Sequence, residues 1–183
     1  LGDILLTSPI ARGLKSRYPS SQIDFVIKSE YADLYRFNPN INFLLELTSG
    51  GQNELNIIKD KIRRNRYDVI VDLHNSLRSR YLRFFSFSRY TKVIKKRIFK
   101  RFLLVKLGID LFGDDENVLQ RYFETVKSFG VHDDANGLEI FMPDEVFEIT
   151  ESITAKLNLD QYKFVFGFAP SARHFTKIWP ADR

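Results

Sequence analysis

Residues 67–78 read YDVIVDLHNSLR, and this stretch decides the fold class. Its first part, residues 67–73, is a nearly continuous apolar run, which is typical of a strand buried in a parallel sheet. Polar residues follow at once, and Asn75 and Ser76 offer the side-chain oxygens that begin a helix, which we predict over residues 76–87. A strand that passes through a short polar loop into a helix indicates an α/β domain with a mostly parallel sheet.

The same alternation of strands and helices extends from this stretch toward both ends of the chain. In residues 54–66, Leu55, Ile58 and Ile62 recur at helical spacing. Further strands are predicted at 22–28, 43–47, 91–94 and 163–169, with an extended segment at 138–142. Helices are predicted at 7–17, 30–37, 54–66, 97–107, 117–129 and 143–157. Thr7 is expected to cap the first of these helices.

Composition excludes several kinds of site. The 183 residues contain no cysteine, which excludes disulfide frameworks, thiolate zinc sites and cysteine nucleophiles. Three histidines and one methionine make a histidine-rich metal centre unexpected, so no bound metal is predicted. No apolar run approaches the roughly 18 residues of a membrane span. The length fits one large domain or two very small ones.

The positive charge is concentrated in residues 78–109, here called the basic window. It holds 11 of the 28 lysines and arginines and no acidic residue, so the rest of the chain carries 17 cations against 23 acids. The formal net charge of +5 therefore belongs to one window in an otherwise acidic domain. Five phenylalanines lie among these cations, which are Arg78, Arg80, Arg83, Arg89, Lys92, Lys95, Lys96, Arg97, Lys100, Arg101 and Lys106.

Basic residues mixed with aromatic residues can bind nucleic acid, an anionic membrane or an anionic substrate. A solvated pair of helices whose phenylalanines face the core would give the same pattern. The window contains neither an RNA-recognition signature nor a helix-turn-helix pattern, so a basic nucleic-acid-binding module is a remote alternative.

Three polar segments, residues 1–8, 74–78 and 170–179, fall where ligands bind in such folds, outside the carboxyl ends of the strands. In the first, the Asp3 carboxylate could take a proton from a bound hydroxyl, unless it only caps a helix. In the second, Arg78 can grip a carboxylate or a phosphate, whereas His74 can equally be a hydrogen-bonded structural histidine.

The third segment holds small residues, hydroxyl groups and two cations, a composition suited to phosphates. Lys177 is a point charge that could neutralise a diphosphate. The alternative is a surface loop with Trp179 packed on the sheet.

Together, the three segments resemble glycosyltransferase family 9, the lipopolysaccharide heptosyltransferases. Residues 2–9, GDILLTSP, follow the family's Gly-Asp and Thr-x-Pro opening. Residues 68–79, DVIVDLHNSLRS, are similar to its Asp-Leu-His-Gly-Ser-Leu-Arg-Ser segment, with Asn75 in place of the common glycine. Residues 176–180, TKIWP, match its Thr-Lys-x-Trp-Pro signature. Order and spacing across nearly the whole chain make the resemblance specific.

The resemblance implies a fold and a domain order. The family has two Rossmann-like domains that face a cleft, an arrangement called GT-B. Residues 1–169 would be the N-terminal, acceptor-binding, Rossmann-like domain, a parallel sheet with flanking helices that lacks its first strand. Residues 170–183 would begin the inter-domain, nucleotide-sugar region, and the C-terminal domain would be absent. The 183 residues are therefore expected to be inactive alone.

The resemblance also implies a role for individual residues. Asp3 would be the general base that takes the proton of the acceptor hydroxyl. Lys177 would stabilise the leaving diphosphate, with hydrogen bonds from Ser171 and Thr176. The acceptor would be bound by Gly2, His74, Asn75, Ser76 and Arg78. An anionic acceptor or a membrane would face Lys95, Lys96, Lys100 and Arg101.

The implied reaction transfers a heptose from an ADP-activated donor to the lipopolysaccharide inner core, with inversion and without metal or other cofactor. The alternative is a related GT-B transferase that uses another nucleotide sugar for a different cell-surface glycan. The expected partners are a nucleotide sugar, a lipid-linked anionic saccharide and an anionic membrane surface, but no nucleic acid. The expected location is the cytoplasm of a Gram-negative bacterium, peripheral to the inner membrane.

Overall fold

A computed structural model of the chain describes residues 2–96, 98–109, 117–167 and 178. Two compact units are present, residues 1–141 and residues 142–183. The first contains α1 (Gly2–Leu5), α2 (Ser8–Arg17), β1 (Asp24–Lys28), a 3-10 helix (Ser29–Leu34), β2 (Phe43–Leu47), α3 (Gln52–Asn65), β3 (Val69–Asp72), α4 (Leu77–Phe84), β4 (Tyr90–Val93), α5 (Ile98–Leu107), α6 (Val118–Val126) and a 3-10 helix (Lys127–Phe129). The second contains α7 (Asp144–Lys156) and a 3-10 helix (Leu159–Gln161). Parallel strands with flanking helices confirm the predicted α/β class.

In the part of the chain that the structure describes, the strands form two separate parallel pairs rather than the one sheet that we predict from the sequence. β1 pairs with β2, and β3 pairs with β4, with Val26 opposite Leu45 and Val71 opposite Lys92. In the described residues no ladder joins β1 to β3. The side chains around α1 contact both pairs, because Ile4 packs in the cluster on β1 and Leu6 packs in the cluster on β3. A helical segment thus lies between the two strand pairs and contributes to the core of each.

The buried side chains explain why the helices form where their apolar spacing predicts. On α3, Leu55, Ile58 and Ile62 are all buried against the β2 leucines. On α6, Phe123 and Val126 are buried against the residues around β3 and β4. Burying an apolar helix face in this way supplies most of the stability of a helix in a globular protein.

The helix predicted over residues 117–129 is confirmed together with both of its ends. Asn117 caps α6 by accepting from the Gln120 N–H at 2.9 Å, and the Gln120 side chain accepts from the Asn117 N–H at 2.8 Å. The 3-10 turn that follows ends at Gly130, whose φ of 72° is the left-handed conformation that favours glycine.

Three local predictions are wrong. The segment 163–169 was expected to be a buried strand, but residues 163–167 form no strand and Phe166 is 91% exposed. A strand needs a neighbour for its backbone hydrogen bonds, and the described part of the chain supplies none there. The helix expected over 30–37 is the shorter 3-10 helix Ser29–Leu34. Thr7 makes no capping hydrogen bond to α2, because its hydroxyl binds elsewhere.

Candidate functional site

The carboxyl ends of β2, β3 and β4 carry three loops that lie side by side. The Arg78 guanidinium covers the loop after β2, since a Cβ on Gly50 would lie 3.1 Å from the Arg78 Cζ atom. The Asn75 Nδ2 atom in the loop after β3 donates to the Ile94 carbonyl after β4 at 3.3 Å. The strand ends therefore bring the predicted 74–78 segment next to Lys95 and Lys96, as the sequence pattern indicates.

Asp72 shapes the loop that carries these residues. Its carboxylate accepts from the N–H groups of His74 at 3.1 Å and Asn75 at 2.7 Å, and from Arg83 Nη1 at 2.7 Å. The side chain is only 5% exposed, so these partners replace water around a buried charge. Asn75 takes a left-handed φ of 48° in this turn, a conformation that asparagine tolerates better than most residues. Asp72 therefore orients the loop, and it does so from inside the fold.

The loop then enters α4 through a reciprocal cap. Ser76 accepts from the Ser79 N–H at 3.2 Å, and the Ser79 hydroxyl oxygen accepts from the Ser76 N–H at 2.8 Å. These bonds occupy the Ser76 side chain and confirm its predicted role as the cap of a helix. Ser76 faces a ligand less directly than the resemblance implies, because its hydroxyl is already engaged.

His74 and Arg78 are the exposed polar side chains of this segment, and Leu77 between them is exposed as well. The His74 imidazole makes no hydrogen bond within the described residues, so the structural-histidine interpretation has no support there. Within that same part of the chain, Arg78 makes no ion pair. Both side chains are therefore available to a ligand at the carboxyl edge.

Glu54 fixes the loop after β2 and was missed by the sequence analysis. Its carboxylate accepts from the N–H groups of Thr48 at 2.6 Å, Ser49 at 3.0 Å and Gly50 at 2.6 Å. The Thr48 bond is the largest of the effects that lower the pKa of Glu54. The available signal was its position, three residues after the Gly51 that precedes α3, where a glutamate commonly binds back to the start of a helix.

Asp3 lies exposed in α1, the short helix that precedes α2. Asp3 acts on Tyr122 of α6: burial raises the pKa of Tyr122, and the Asp3 carboxylate raises it further. The residue before it on α6, Arg121, donates to the Lys95 carbonyl at 2.7 Å. Two consecutive residues of α6 therefore link the Asp3 segment and the end of β4 to this helix, a connection that no sequence motif reveals.

The space around Gly2 leaves room for a ligand to approach the backbone closely. A Cβ on Gly2 would meet no atom within 4 Å, so packing does not require glycine at this position.

The Thr7 hydroxyl, in contrast, is buried and donates to the Ile4 carbonyl at 2.6 Å while sharing a 2.6 Å hydrogen bond with the Tyr35 hydroxyl. Burial raises the pKa of Tyr35 well above its usual range, so this pair stays neutral and holds the segment in place.

An ion-pair network secures α2 beneath this segment. Arg12 donates to Asp134 through Nε at 2.8 Å and Nη2 at 2.7 Å, and to Glu139 through Nη1 at 2.6 Å. Glu139 in turn donates its backbone N–H to the Ser8 hydroxyl at 3.1 Å. The two bonds from Arg12 hold the pKa of the Asp134 carboxyl well below its usual value of 3.8.

This lowered pKa predicts a pH-dependent contribution to stability. The contribution is fully present above the unfolded pKa of about 3.9 and is lost as the pH falls toward the lower folded pKa. The Asp134→Asn variant should melt below the wild type at neutral pH, and the gap should close as the pH falls below about 4. Because Asp134 is 39% exposed, the gap is expected to correspond to about 1 kcal/mol or less.

Thermal melts at several pH values check this expectation. Asp133→Asn is the matched control, since Asp133 uses Oδ1 to accept from the Ala135 N–H and an asparagine retains that acceptor. A gap between wild type and Asp134→Asn that does not change with pH would contradict the assignment.

Several predicted site residues fall outside this description. Ser171, Thr176 and Lys177 lie outside the described residues. Lys100 and Arg101 belong to α5, but their side chains are also outside the described part. Lys95 and Lys96 are exposed at the end of β4, and neither makes an ion pair with a described residue.

Two cavities in the described residues lie away from the predicted site. One of about 280 Å³ is lined by Gln120, Phe123, Glu124, Lys127, Val131, His132 and Asp133. Another of about 540 Å³ is lined by Asp60, Arg63, Arg64 and Arg66 at the end of α3. Among the described helices, none combines the length and the apolar character that crossing a membrane requires.

The known proteins that this chain resembles in sequence carry the name heptosyltransferase. No family model matches the sequence. Lipopolysaccharide heptosyltransferase 3 of Escherichia coli strain K12 is 34% identical over 79 residues, which cover 39% of this chain and 23% of that protein. Lipooligosaccharide heptosyltransferase 2 of Haemophilus ducreyi is 24% identical over 194 residues, covering 98% of this chain and 54% of that protein.

The fold has a counterpart among solved structures. The crystal structure of the glycosyl transferase family 9 from Veillonella parvula superposes with a TM-score of 0.77 at 24% sequence identity. The match covers 100% of this chain and 54% of that one, so the chain spans about half the length of this structure and less than a quarter of the first relative. These findings confirm the resemblance that the motifs indicate: the chain is similar in sequence to heptosyltransferases and has the fold of a glycosyltransferase family 9 protein.

Proposed function

We propose that the protein containing this chain transfers a sugar from a nucleotide-sugar donor to a saccharide acceptor. The observation that carries the proposal is similarity to a heptosyltransferase along 98% of the chain. In the proposal, residues 1–169 form the acceptor-binding half of a GT-B enzyme, and residues 170–183 contribute to the donor side. The donor is an ADP-activated heptose, and the acceptor is the lipopolysaccharide inner core.

The proposed reaction needs only a base and groups that bind the donor diphosphate and the anionic acceptor. The acceptor hydroxyl oxygen attacks the anomeric carbon of the donor and forms the new glycosidic bond with inversion. The bond from that carbon to the diphosphate oxygen breaks, and the nucleoside diphosphate leaves with the electron pair. The Asp3 carboxylate takes the hydroxyl proton, which becomes acidic as the bond forms, so a carboxylate is a sufficient base. No metal or other cofactor is required in this scheme.

The described geometry suits an anionic acceptor at the carboxyl edge. Arg78 extends over the Gly50 loop with no described ion-pair partner, and Lys95 and Lys96 end the neighbouring strand. A guanidinium can hold a carboxylate or phosphate through two hydrogen bonds, whereas lysines act as point charges. On the donor side, Lys177 would stabilise the diphosphate, helped by Ser171 and Thr176. An enzyme with these substrates would work in the cytoplasm at the inner membrane.

Donor-dependent transfer by the full protein tests the proposal. Purified protein is incubated with extracted inner-core acceptor and, in separate reactions, ADP-heptose or another nucleotide sugar, and the product is detected by mass. We expect a mass increase of one heptose with ADP-heptose only, unaffected by a chelator. Transfer from a different nucleotide sugar would favour the related transferase of another surface glycan. No transfer from any donor to any saccharide acceptor would contradict the proposal as a whole.

A further inference from the structure

The Asp3 carboxylate has no hydrogen-bond partner among the described residues, so the backbone of α1 sets its position. That helix is a single turn of four residues, and a helix this short is not stable on its own. Its packing is divided, because Ile4 lies in the cluster on β1 and Leu6 lies in the cluster on β3. Contacts from elsewhere in the chain must therefore hold the turn that carries Asp3.

Three donor groups lie within hydrogen-bond distance of one backbone acceptor of α1, the Ile4 carbonyl. Thr7 supplies two of them, its N–H at 2.9 Å and its hydroxyl at 2.6 Å. The third is the Tyr35 hydroxyl at 3.1 Å, which also lies 2.6 Å from the Thr7 hydroxyl. Among the described donors to this carbonyl, Tyr35 is the one from outside residues 1–7, and it lies 31 positions further along the chain.

Tyr35 is itself held rigidly. The residue is 1% exposed, and its ring stacks on Phe25 of β1 with the ring centroids 4.5 Å apart and the planes 9° from parallel. Its backbone N–H donates to the Ala32 carbonyl at 2.9 Å, at the end of the 3-10 helix that follows β1. A hydroxyl on a ring packed in this way has little freedom to move, so it offers the Ile4 carbonyl a fixed point of attachment.

We infer that Tyr35 is a positioning residue for the reaction: by binding the Ile4 carbonyl, its hydroxyl fixes the one-turn helix that holds the neighbouring Asp3 carboxylate in place for the acceptor hydroxyl. This inference rests on the proposed function, in which Asp3 is the general base. A base must lie within hydrogen-bond reach of the proton that it takes, and a displacement of about 1 Å can cost about 100-fold in rate. A loosened turn should therefore slow transfer without weakening donor binding.

A purely structural role for Tyr35 would have different consequences. Tyr35→Phe keeps the ring and its stacking on Phe25, and it removes only the hydroxyl. A structural defect lowers the fraction of folded protein, and it lowers turnover to the same extent with or without the Asp3 carboxylate. A positioning defect acts through that carboxylate, so it should disappear once the carboxylate has been removed.

A double-mutant cycle in the full protein separates these two roles. We expect Tyr35→Phe to lower kcat about 10-fold with the donor KM unchanged, because Thr7 still binds the Ile4 carbonyl. In the Asp3→Asn background, the same substitution should lower kcat by less than about twofold. Thr7→Val removes the other hydroxyl and should also lower kcat about 10-fold, whereas Thr7→Ser keeps the hydroxyl and should recover most of that loss.

Tyr31→Phe is the matched control. Tyr31 lies on the 3-10 helix Ser29–Leu34 and packs in the same cluster as Tyr35, but its hydroxyl makes no hydrogen bond within the described residues. This variant should keep the wild-type kcat and melting temperature. Hydrogen exchange at the Thr7 amide, which is bonded to the Ile4 carbonyl, should be faster in Tyr35→Phe than in the control. Melting curves of all variants establish that each one is folded.

Three results would overturn the inference and leave the proposed function standing. The first is a wild-type kcat in Tyr35→Phe, and the second is an equal loss from this substitution with and without the Asp3 carboxylate. The third is equal exchange at the Thr7 amide in Tyr35→Phe and Tyr31→Phe. A different result would also remove the base from the proposed function: if Asp3→Asn turns over like the wild type, Tyr35 has no base to position.

Discussion

Replacing Asp3 with asparagine should lower the turnover of sugar transfer by about 10²- to 10⁴-fold, the usual contribution of a positioned general base. Donor binding should be unchanged, because in our proposal the donor diphosphate is held by residues 170–183. The amide has the size of the carboxylate but cannot take the proton of the attacking hydroxyl. Asp3 is exposed and lies in the four-residue helix α1, so the substitution should not disturb the core.

Initial rates at saturating donor and acceptor measure this effect, and calorimetric titration with the nucleotide sugar measures donor affinity. Asp68→Asn is the control, because Asp68 is exposed at the beginning of β3, at the edge of the strands opposite the candidate site. It should retain normal turnover. If Asp3→Asn turns over as fast as Asp68→Asn, Asp3 is not the base.

The local part of the fold could be predicted from the sequence because local spacing determines it. The strand at 43–47 is observed with the same bounds, and the helix predicted at 54–66 is observed as Gln52–Asn65. In the helix the apolar residues repeat with the helical period and their face is buried, and in the strand Leu45 and Leu47 are buried two residues apart. The segment 163–167 also has a strand-like composition, but composition cannot supply the neighbouring strand that a ladder requires.

The candidate site, too, could be predicted only where the local sequence determines it. The sequence places His74 and Arg78 at the end of a strand, because a change from apolar to polar residues marks the carboxyl edge. The electrostatic contact of Asp3 with Tyr122 joins residues far apart in the chain, and no periodicity encodes it. The separation of the strands into two pairs is equally tertiary, since local spacing does not determine which strands pair.

Asp72 should be the most sensitive residue of the candidate site in terms of stability, and two substitutions separate its two roles. Asp72→Asn keeps the Oδ1 acceptor for the His74 and Asn75 N–H groups, but it turns an amide N–H₂ toward the Arg83 guanidinium. Asp72→Ala removes both sets of bonds. We expect the free energy of unfolding to fall by about 2 kcal/mol for asparagine and about 3–4 kcal/mol for alanine, because unpaired buried groups are costly.

For a chain of this size those losses correspond to melting temperatures lower by about 4–8 °C and about 6–16 °C. Hydrogen exchange at the His74 and Asn75 amides provides a local readout: exchange should accelerate in Asp72→Ala and stay near wild type in Asp72→Asn. Combining Asp72→Asn with Arg83→Gln should recover part of the stability, since the asparagine then meets an uncharged partner. The control is again Asp68→Asn, exposed four residues earlier, which should melt within about 0.5 kcal/mol of wild type. If Asp72→Ala melts like that control, the buried carboxylate does not hold the loop, and the positions of His74 and Arg78 must depend on other contacts.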